Sequence, residues 1–220
     1  SRVRDALGLA PTFPLILVGG TNGKGSTCAY LEAILGAAGY KTGLYTSPHL
    51  LRYNERVRVA GVDADDAALC AAFAAVEAAR GTISLTYFEM GTLAAFWLFA
   101  QAGLDAAVLE VGLGGRLDAV NLVDADVSLV TSIGLDHGDW LGDSRESVAF
   151  EKAGILRAGK PALCGDLEPP VPLLQRVAVL DCPFFLRGRD YDLAVDASAW
   201  HWRGLNGQGE VLELHDLPLL

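Results

Sequence analysis

The residues from Leu15 to Thr27, LILVGGTNGKGST, constrain the fold of this chain more than any other segment. An apolar run enters a loop with four glycines and one lysine, and an alanine- and leucine-rich pattern then follows to Ala38. A strand, a glycine loop and a helix start in this order form a phosphate cradle, because backbone N–H groups and the positive end of the helix meet the oxygens. Lys24 is placed to reach terminal phosphates, and Ser26 or Thr27 to meet a magnesium ion. The segment predicts a nucleoside triphosphate site.

The spacing of this loop differs from that of the standard P-loop. Val18 stands where the first glycine is expected, and Gly25 separates Lys24 from Ser26. The alternative interpretation is therefore a glycine-rich turn with one exposed lysine.

Composition and charge restrict the class of protein. The chain has 220 residues, of which 51% are hydrophobic, which favours a well-packed core of one large domain or of one domain with a small addition. The net charge of −10 argues against a nucleic-acid surface. No segment reaches the roughly 18 uncharged apolar residues of a membrane span, so we expect no membrane association and a cytoplasmic location. The cysteines form no CxxC pair and are expected to be reduced; they are Cys28, Cys70, Cys164 and Cys182.

Strand and helix patterns alternate and predict an α/β fold: a P-loop NTPase-like, mostly parallel sheet with helices on both faces. Predicted strands cover 15–18, 42–46, 106–111, 127–133 and 161–164, and predicted helices cover 26–38, 65–80, 88–102 and 144–153, with a hairpin-like stretch at 56–62. After Glu168, three prolines and three alternating segments (191–195, 200–203 and 211–214) predict a small antiparallel β part, with a turn at Asn206-Gly207. We therefore divide the chain into an α/β core, 1–168, and a β-rich subdomain, 169–220.

Polar residues follow several predicted strands, where ligands gather in α/β sheets. Ser47 follows the second strand, Glu110 ends the third, and Asp136 and His137 follow the fourth. These residues suit a metal ion that accompanies a nucleotide, because a buried carboxylate needs a cation or a partner. Three alternatives stay open: a simple turn at Ser47, a salt bridge between Glu110 and Arg116, and a structural histidine. The charged residues at 52–58 are interpreted as a solvated face, and Lys152 near a helix end as a charge that complements the helix dipole.

Together these stretches resemble the Mur ligase superfamily, and within it the bacterial dihydrofolate synthase/folylpolyglutamate synthase family. The resemblance is carried by GTNGKGS at 20–26, YTSPHL at 45–50, NERVR at 54–58, SLTYFE at 84–89, the stretches 109–121 and 132–140, and EKAGI at 151–155. The resemblance implies a family whose members are about twice as long and have a C-terminal Rossmann-like ligase domain, which we expect to lie outside this chain. The resemblance implies that the chain is an N-terminal ATPase domain, which we expect to be inactive alone.

The resemblance also assigns roles to individual residues. It implies that ATP phosphates are held by Thr21, Asn22, Gly23, Lys24, Gly25 and Ser26, and that Mg²⁺, at two sites, involves Ser47, Glu110 and His137. It also implies that the substrate site is formed by Thr86, Tyr87, Phe88, Glu89, Leu117, Asp118, Ala119 and Lys152. Lys152 matches a lysine that is carbamylated in the family, which reverses the interpretation given above. Lys24, Lys152 and His137 are the residues expected to act in catalysis.

The implied reaction is ATP-dependent ligation of L-glutamate to dihydropteroate or to folates through an acyl phosphate, by a monomeric enzyme. One alternative is a Mur-type amino-acid ligase of cell-wall synthesis. The other is a nucleotide-dependent switch module without ligase activity. The substrate stretches at 84–89 and 114–118 favour a ligase, because a switch would not need them.

Overall fold

A computed structural model describes residues 2–135, 142–205 and 209–218. Its main element is an eight-stranded sheet in the order β4-β3-β2-β5-β1-β6-β7-β8. The strands are β1 Leu15–Gly19, β2 Thr42–Tyr45, β3 Val57–Val59, β4 Val62–Asp63, β5 Ala106–Glu110, β6 Val127–Val130, β7 Ala162–Cys164 and β8 Phe184–Leu186. The strands from β2 to β8 in this order are parallel, and β3 and β4 are antiparallel at one edge. The predicted mostly parallel sheet is confirmed.

Six helices accompany this sheet in the described part of the chain. They are α1 Arg2–Ala6, α2 Lys24–Ala37, α3 Asp66–Arg80, α4 Tyr87–Ala102, α5 Arg145–Lys152 and α6 Val171–Val179. On one face of the sheet, five of them contribute to a large core around residues such as Leu17, Tyr45 and Phe99. On the other face α2 covers a small second cluster of Val18, Cys28, Leu44 and Val108. Helices therefore lie on both faces, as predicted, but unequally.

A separate three-stranded antiparallel sheet follows at the C-terminal end. Its strands are β9 Tyr191–Val195, β10 Ala199–Leu205 and β11 Val211–Pro218, in the order β11-β10-β9. The three alternating segments of the sequence correspond to these strands. The predicted turn at Asn206-Gly207 lies outside the described residues.

Residues 171–186 depart from the prediction that everything after Glu168 is β-rich. Helix α6 and strand β8 lie in this stretch, and β8 pairs with β7 in the main sheet. The prolines do not break α6, because Pro170 caps it and Pro172 occupies its first turn, where backbone N–H groups have no intrahelical acceptor. The main sheet thus continues to Leu186, and the separate sheet begins at Tyr191.

The predicted strand 127–133 is shorter in the structure. Strand β6 ends at Val130, because the next residues turn toward the glycine loop: Thr131 Oγ1 donates a hydrogen bond to the Asn22 carbonyl (2.6 Å). None of the described helices is long and apolar enough to cross a membrane.

Candidate active site

The glycine loop joins the central strand β1 to α2. Two glycines in it have positive φ angles, +146° at Gly20 and +78° at Gly23. A Cβ atom at Gly20 would lie 1.8 Å from Thr131 Oγ1, so only glycine fits there. The close approach of β1 and β6 thus dictates the glycine, and the loop leads directly into the first turn of α2.

Hydrogen bonds from the residues after β6 fix the glycine loop. The Thr21 N–H donates to the Ser132 carbonyl (2.9 Å), and the Gly134 N–H donates to Thr21 Oγ1 (3.0 Å). The Asn22 N–H donates to Ser132 Oγ (3.1 Å). Residues 132 and 134 therefore hold the glycine loop in place. The first N–H groups of an α-helix have no acceptor within the helix, so those of α2 can bind an external acceptor.

Lys24 begins α2, and its Nζ donates to the Thr21 carbonyl at 3.2 Å. The side chain is only partly buried, so the ammonium group folds over the loop and stays accessible from outside. A phosphate bound at this helix start would meet both the backbone donors and the lysine charge. The strand, the glycine loop and the helix start follow one another as the phosphate-cradle prediction requires, and phosphate binding by this loop stays a prediction.

Glu110 and Ser47 meet beside this cradle. Strands β2 and β5 are paired in parallel, so their carboxyl ends lie together, and the Ser47 N–H donates to Glu110 Oε2 (3.0 Å). Both carboxylate oxygens lie 3.7 Å from the position that a Cβ would take at Gly25. The Glu110 carboxylate therefore lies in contact distance of the first turn of α2.

Glu110 is only 5% exposed. Burial raises the pKa of its carboxyl, and the Ser47 N–H and the positive charge of Lys24 act in the opposite direction. The proposed salt bridge to Arg116 is wrong, because Arg116 Nη2 pairs with Glu151 Oε1 at 2.8 Å. Glu110 and Ser47 lie beside the first turn of α2 and carry the hard oxygen ligands that Mg²⁺ prefers. These two residues therefore fit a magnesium site.

An open cavity of about 510 Å³ lies next to this region. It brings together most of the predicted substrate residues, since its lining includes Thr86, Phe88, Glu89, Leu117, Asp118 and Ala119. Tyr87 is outside the lining and largely exposed, with its ring perpendicular to that of Tyr53 at 6.0 Å.

The cavity residues at the start of α4 also cap that helix. Thr86 Oγ1 accepts the Glu89 N–H (3.2 Å), and Glu89 Oε2 accepts the Thr86 N–H (2.7 Å). This reciprocal pair is a capping box. It fixes the direction in which Phe88 projects into the cavity, so Thr86 and Glu89 shape the site through the helix start.

Asp118 orders the loop that supplies the other lining residues of the cavity, among them Leu113 and Leu117. Its carboxylate accepts the N–H groups of Leu113 (2.8 Å) and Val120 (2.9 Å). Burial raises the pKa of the Asp118 carboxyl, although these N–H groups and the Gly112 N–H act against that rise. The loop is thus held by its own aspartate.

The end of α5 packs tightly against this loop. A Cβ at Gly115 would lie 2.8 Å from the Glu151 carbonyl and 3.2 Å from the Lys152 Cα. Lys152 itself is 3% exposed, which excludes the interpretation of a solvent-exposed charge at a helix terminus. The structure thus places Lys152 in the interior beside the glycine-rich loop. His137 and Asp136 lie outside the described residues.

The charged stretch at 52–58 contains a functional candidate that the sequence interpretation missed. Arg56 is 8% exposed rather than solvated. Its Nε donates to His49 Nδ1 (2.8 Å), and its guanidinium lies 5.5 Å from the Tyr53 ring and 5.6 Å from the Tyr87 ring. The sequence gives one hint of this environment, the aromatic Tyr53 three residues before Arg56. Tyr87 is distant in sequence, so its contact with Arg56 could not be predicted without the tertiary fold.

Comparisons with known proteins agree with this architecture. The family described as Mur ligase middle domain matches residues 18–163. The dihydrofolate synthase/folylpolyglutamate synthase of Escherichia coli K12 is 52% identical over 219 residues, which cover 99% of this chain and 52% of that protein.

Solved structures show the same similarity. E. coli FolC in complex with DHPP and ADP has a TM-score of 0.93 and 52% identity, over 99% of this chain and 52% of that one. The Yersinia pestis bifunctional folylpolyglutamate synthase/dihydrofolate synthase with Mn, AMPPNP and L-glutamate bound has a TM-score of 0.89 and 49% identity, over 99% of this chain and 53% of that one.

This chain therefore spans about half the length of the relatives that it matches. The matched family covers the glycine loop, the strand ends at Ser47 and Glu110, and the buried Lys152, which are the elements that form the candidate site. On this combination of fold, site and matched residues, the chain belongs to the family of Mur ligase middle domains.

Proposed function

We propose that this chain is the ATP-binding part of an ATP-dependent ligase that joins L-glutamate to a pterin or folate carboxylate. The observation that carries the proposal is that the glycine loop, the Glu110–Ser47 pair and the 510 Å³ cavity lie together at the carboxyl edge of one sheet. The relatives that bind ADP, AMPPNP, Mn and glutamate, according to their descriptions, match this chain along nearly its whole length.

In the proposed reaction, the substrate carboxylate attacks the γ-phosphorus of ATP, and ADP leaves with the bridging oxygen. The products are an acyl phosphate and ADP. The amine of glutamate then attacks the acyl carbon and loses a proton, and the collapse of the tetrahedral intermediate expels inorganic phosphate and leaves an amide. Because no protein nucleophile takes part, the protein acts by positioning the groups and by stabilising charge.

The described residues divide this work. The N–H groups at the start of α2 and the Lys24 ammonium group hold and neutralise the phosphates. Glu110 and Ser47, and His137 by the family resemblance, would hold a divalent cation, which neutralises charge on the phosphoryl group when it is bound. Phe88 and Asp118 would contact the pterin, since both line the cavity.

Lys152 is proposed to be carbamylated and to hold a second magnesium ion. Carbamylation replaces the ammonium group with a carboxylate-like anion, which is the ligand type that Mg²⁺ prefers. The burial of Lys152 beside Gly115 supports this proposal, because an ordinary dipole-complementing lysine would project into solvent.

The remaining parts of the proposal concern the whole protein. We propose that it works as a monomer in the cytoplasm and that a further ligase domain completes it. The cysteines of the chain are free thiols, Cys28 and Cys164 being buried, and free thiols are usual in a reducing compartment.

ADP release by the full-length protein tests the proposed function. The assay contains magnesium-ATP, glutamate and either dihydropteroate or tetrahydrofolate, and each substrate is omitted in turn. Release that requires both glutamate and a pterin supports the folate ligase, and the preferred pterin names the activity. Release that requires a cell-wall precursor instead, or no second substrate, would contradict it in favour of a cell-wall ligase or a switch module.

A further inference from the structure

The motif NERVR at 54–58 lies outside the glycine loop and outside the lining of the 510 Å³ cavity. It follows the segment 46–52, which leads from β2 to the motif and carries Ser47. We call this segment the Ser47 loop. Whatever fixes its conformation also fixes Ser47, one of the two residues that fit a magnesium site.

The Ser47 loop has little apolar packing of its own. Its two leucines, Leu50 and Leu51, are 90% and 89% exposed, and Pro48 is exposed as well. Burial of apolar side chains is the dominant favourable term in folding, and segments with few buried apolar contacts open readily. The order of this loop therefore depends on its hydrogen bonds.

Glu55 supplies three of these bonds. Its Oε2 accepts the Leu50 N–H (2.7 Å), and its Oε1 accepts the N–H groups of Leu51 (2.9 Å) and Arg52 (2.6 Å). The three donors lower the pKa of the Glu55 carboxyl, that of Leu50 most. Hydrogen bonds to a charged acceptor are stronger than those between neutral groups. One side chain thus holds three consecutive residues of the loop.

Arg56 holds the other half of the loop. Its backbone carbonyl accepts the Thr46 N–H (2.9 Å), and its Nε donates to His49 Nδ1 (2.8 Å). Ser47 lies between these two anchored residues. Glu55 and Arg56 together therefore anchor the loop on both sides of Ser47.

The turn that carries both anchors is itself fixed. Asn54 Nδ2 donates to the Ala64 carbonyl (2.7 Å) and to Asp66 Oδ1 (2.8 Å), and Asp66 begins α3. Directly after the turn, Val57 of β3 pairs with Tyr45 of β2. The anchors therefore project from a turn that a helix and the main sheet hold in place.

The Arg56 guanidinium also joins the loop to the start of α4. It lies 5.5 Å from the centroid of the Tyr53 ring and 5.6 Å from that of the Tyr87 ring. A buried cation is costly unless its charge is compensated, and the faces of aromatic rings compensate it in part. Tyr87 precedes Phe88, which lines the cavity. Arg56 thus connects the Ser47 loop to the helix start that shapes the cavity.

We propose that Glu55 and Arg56 are positioning residues for the candidate magnesium site, because they hold the loop that keeps Ser47 beside Glu110. The proposal rests on the proposed function only in assigning a divalent cation to Ser47 and Glu110. Neither anchor touches ATP or the pterin. Loss of an anchor leaves Lys24 and the N–H groups of α2 in place, so the nucleotide phosphates still bind while the metal is held less tightly.

Metal binding by the full-length protein tests the proposal. Glu55→Ala is compared with Glu77→Ala, which removes an exposed glutamate that pairs with Arg80 on α3. We expect Glu55→Ala alone to weaken Mn²⁺ binding to the ADP complex about 10- to 100-fold, as the loss of groups that orient metal ligands usually does. Free Mn²⁺ is measured by electron paramagnetic resonance. ADP affinity in EDTA should change by less than about twofold, since the helix N–H donors are untouched.

Hydrogen exchange in the metal-free, full-length protein supplies a second readout. The amides of residues 50–52 should exchange about 10- to 100-fold faster in Glu55→Ala, because their charged acceptor is lost. Glu55→Gln keeps one acceptor oxygen and should restore part of the protection and part of the Mn²⁺ affinity. His49→Ala removes the acceptor of Arg56 without disturbing the buried arginine itself, and it should also weaken Mn²⁺ binding.

Unchanged Mn²⁺ affinity in Glu55→Ala and His49→Ala would overturn the proposal. An equal loss of ADP affinity in EDTA would also overturn it, because it would indicate general damage to the nucleotide site. Absence of Mn²⁺ binding in the parent would leave no metal for Ser47 to hold and would have the same consequence. Both readouts work without pterin or glutamate, so a failed ligase assay would contradict the proposed substrates and leave the positioning role intact.

Discussion

Lys24 is the residue on which the nucleotide assignment depends most directly. On the proposed function, we expect Lys24→Ala in the full-length protein to lower glutamate-dependent ADP release about 100- to 1,000-fold, because one preorganised charge at the transferring phosphate is lost. Lys160→Ala is the control, since Lys160 pairs with Asp126, which precedes β6, at the opposite sheet edge. Unchanged turnover in the Lys24 variant would contradict the phosphate assignment.

Glu32 gives a pH-dependent prediction. It is buried on α2 and lies 3.5 Å from Arg58, and its Oε1 makes no hydrogen bond to the described residues. Burial raises the pKa of Glu32, with Arg58 acting against the rise. The folded state therefore binds this proton more tightly than the unfolded state does, and the free energy of unfolding decreases as pH rises through the raised pKa.

The variant Glu32→Gln removes this titration. We expect the variant to gain stability relative to the parent as pH rises from 4 to 8, and the difference to vanish at the acidic end, where Glu32 is protonated. Urea unfolding at several pH values measures it, with the exposed Glu168→Gln as a control. A difference that grows toward low pH instead would show that the charged carboxylate is net stabilising.

For single residues, the sequence predicted which polar side chains lie at the candidate site but not how deeply they are buried or what they contact. Ser47 and Glu110 were predicted from their positions at strand ends, and their contact follows from the parallel pairing of β2 and β5. The burial of Arg56 could not be predicted in this way. Its charge indicates solvent exposure, and only the packing of Tyr53 and Tyr87 around it changes that outcome.

The contact between the glycine-rich loop and the turn after α5 is sensitive to added volume. A Cβ at Gly154 would lie 2.4 Å from the Arg116 Cβ and 2.5 Å from its Cα. These atoms cannot move aside as the end of a flexible side chain could, so the loop backbone would have to shift. We expect Gly154→Ala to destabilise the fold by about 1–3 kcal/mol, the usual cost of overpacking. Denaturant unfolding of the 220-residue chain measures this.

Gly36→Ala is the matched control for that variant. Gly36 lies within α2, and a Cβ there meets nothing within 4 Å. The same substitution should therefore stabilise the chain by about 0.5–1 kcal/mol, because alanine is the better helix former. Similar effects of the two substitutions would contradict the packing described at Gly154.

A second link between elements joins the residues after β6 to α5. Asp166 Oδ2 accepts the Ile133 N–H and an Arg145 N–H, both at 2.9 Å. The next residue, Gly134, hydrogen-bonds Thr21 of the glycine loop. We expect Asp166→Ala to cost about 1–3 kcal/mol, because the N–H of the buried Ile133 loses its acceptor, and to weaken ATP binding by the full-length protein. Unaltered stability and nucleotide affinity would remove Asp166 from the site's support, and Glu168→Gln is the control.

Periodicity predicted the central elements well and the last part of the sheet poorly. The alternation of apolar strands with helix patterns located β1, β2, β5, β6 and β7 and helices α2 to α5 within a few residues. Helix α6 was missed because Pro169, Pro170 and Pro172 were interpreted as breaks, although a first helical turn accommodates proline. Strand β8 has only three residues and no alternation that a sequence pattern could show.

On the scale of the whole molecule, the division of the chain can be tested by truncation. Strands β9 to β11 pair only with one another among the described strands, and contacts such as the hydrogen bond from Tyr191 OH to the Cys164 carbonyl (2.9 Å) connect them to the main sheet. We expect residues 1–190 to fold with an unfolding midpoint close to that of the 220-residue chain, because the core cluster stays intact. Thermal unfolding followed by circular dichroism measures this. Loss of cooperative unfolding would show that the two sheets form one folding unit.

Because its strands run in the same direction, the parallel part of the sheet places the candidate site at one edge and leaves the opposite edge free of site residues among those described. The glycine loop, Ser47 and Glu110 all lie at the carboxyl ends of strands, whereas an open cavity lined by Gly8, Pro11 and Asp124 lies at the opposite edge. Substitutions at that distant edge change the stability of the sheet without touching the reacting groups. Stabilising substitutions can therefore accumulate at that edge. The stability that they add can offset destabilising substitutions that change function at the substrate loops. The direction in which the strands run makes this fold evolvable as well as stable.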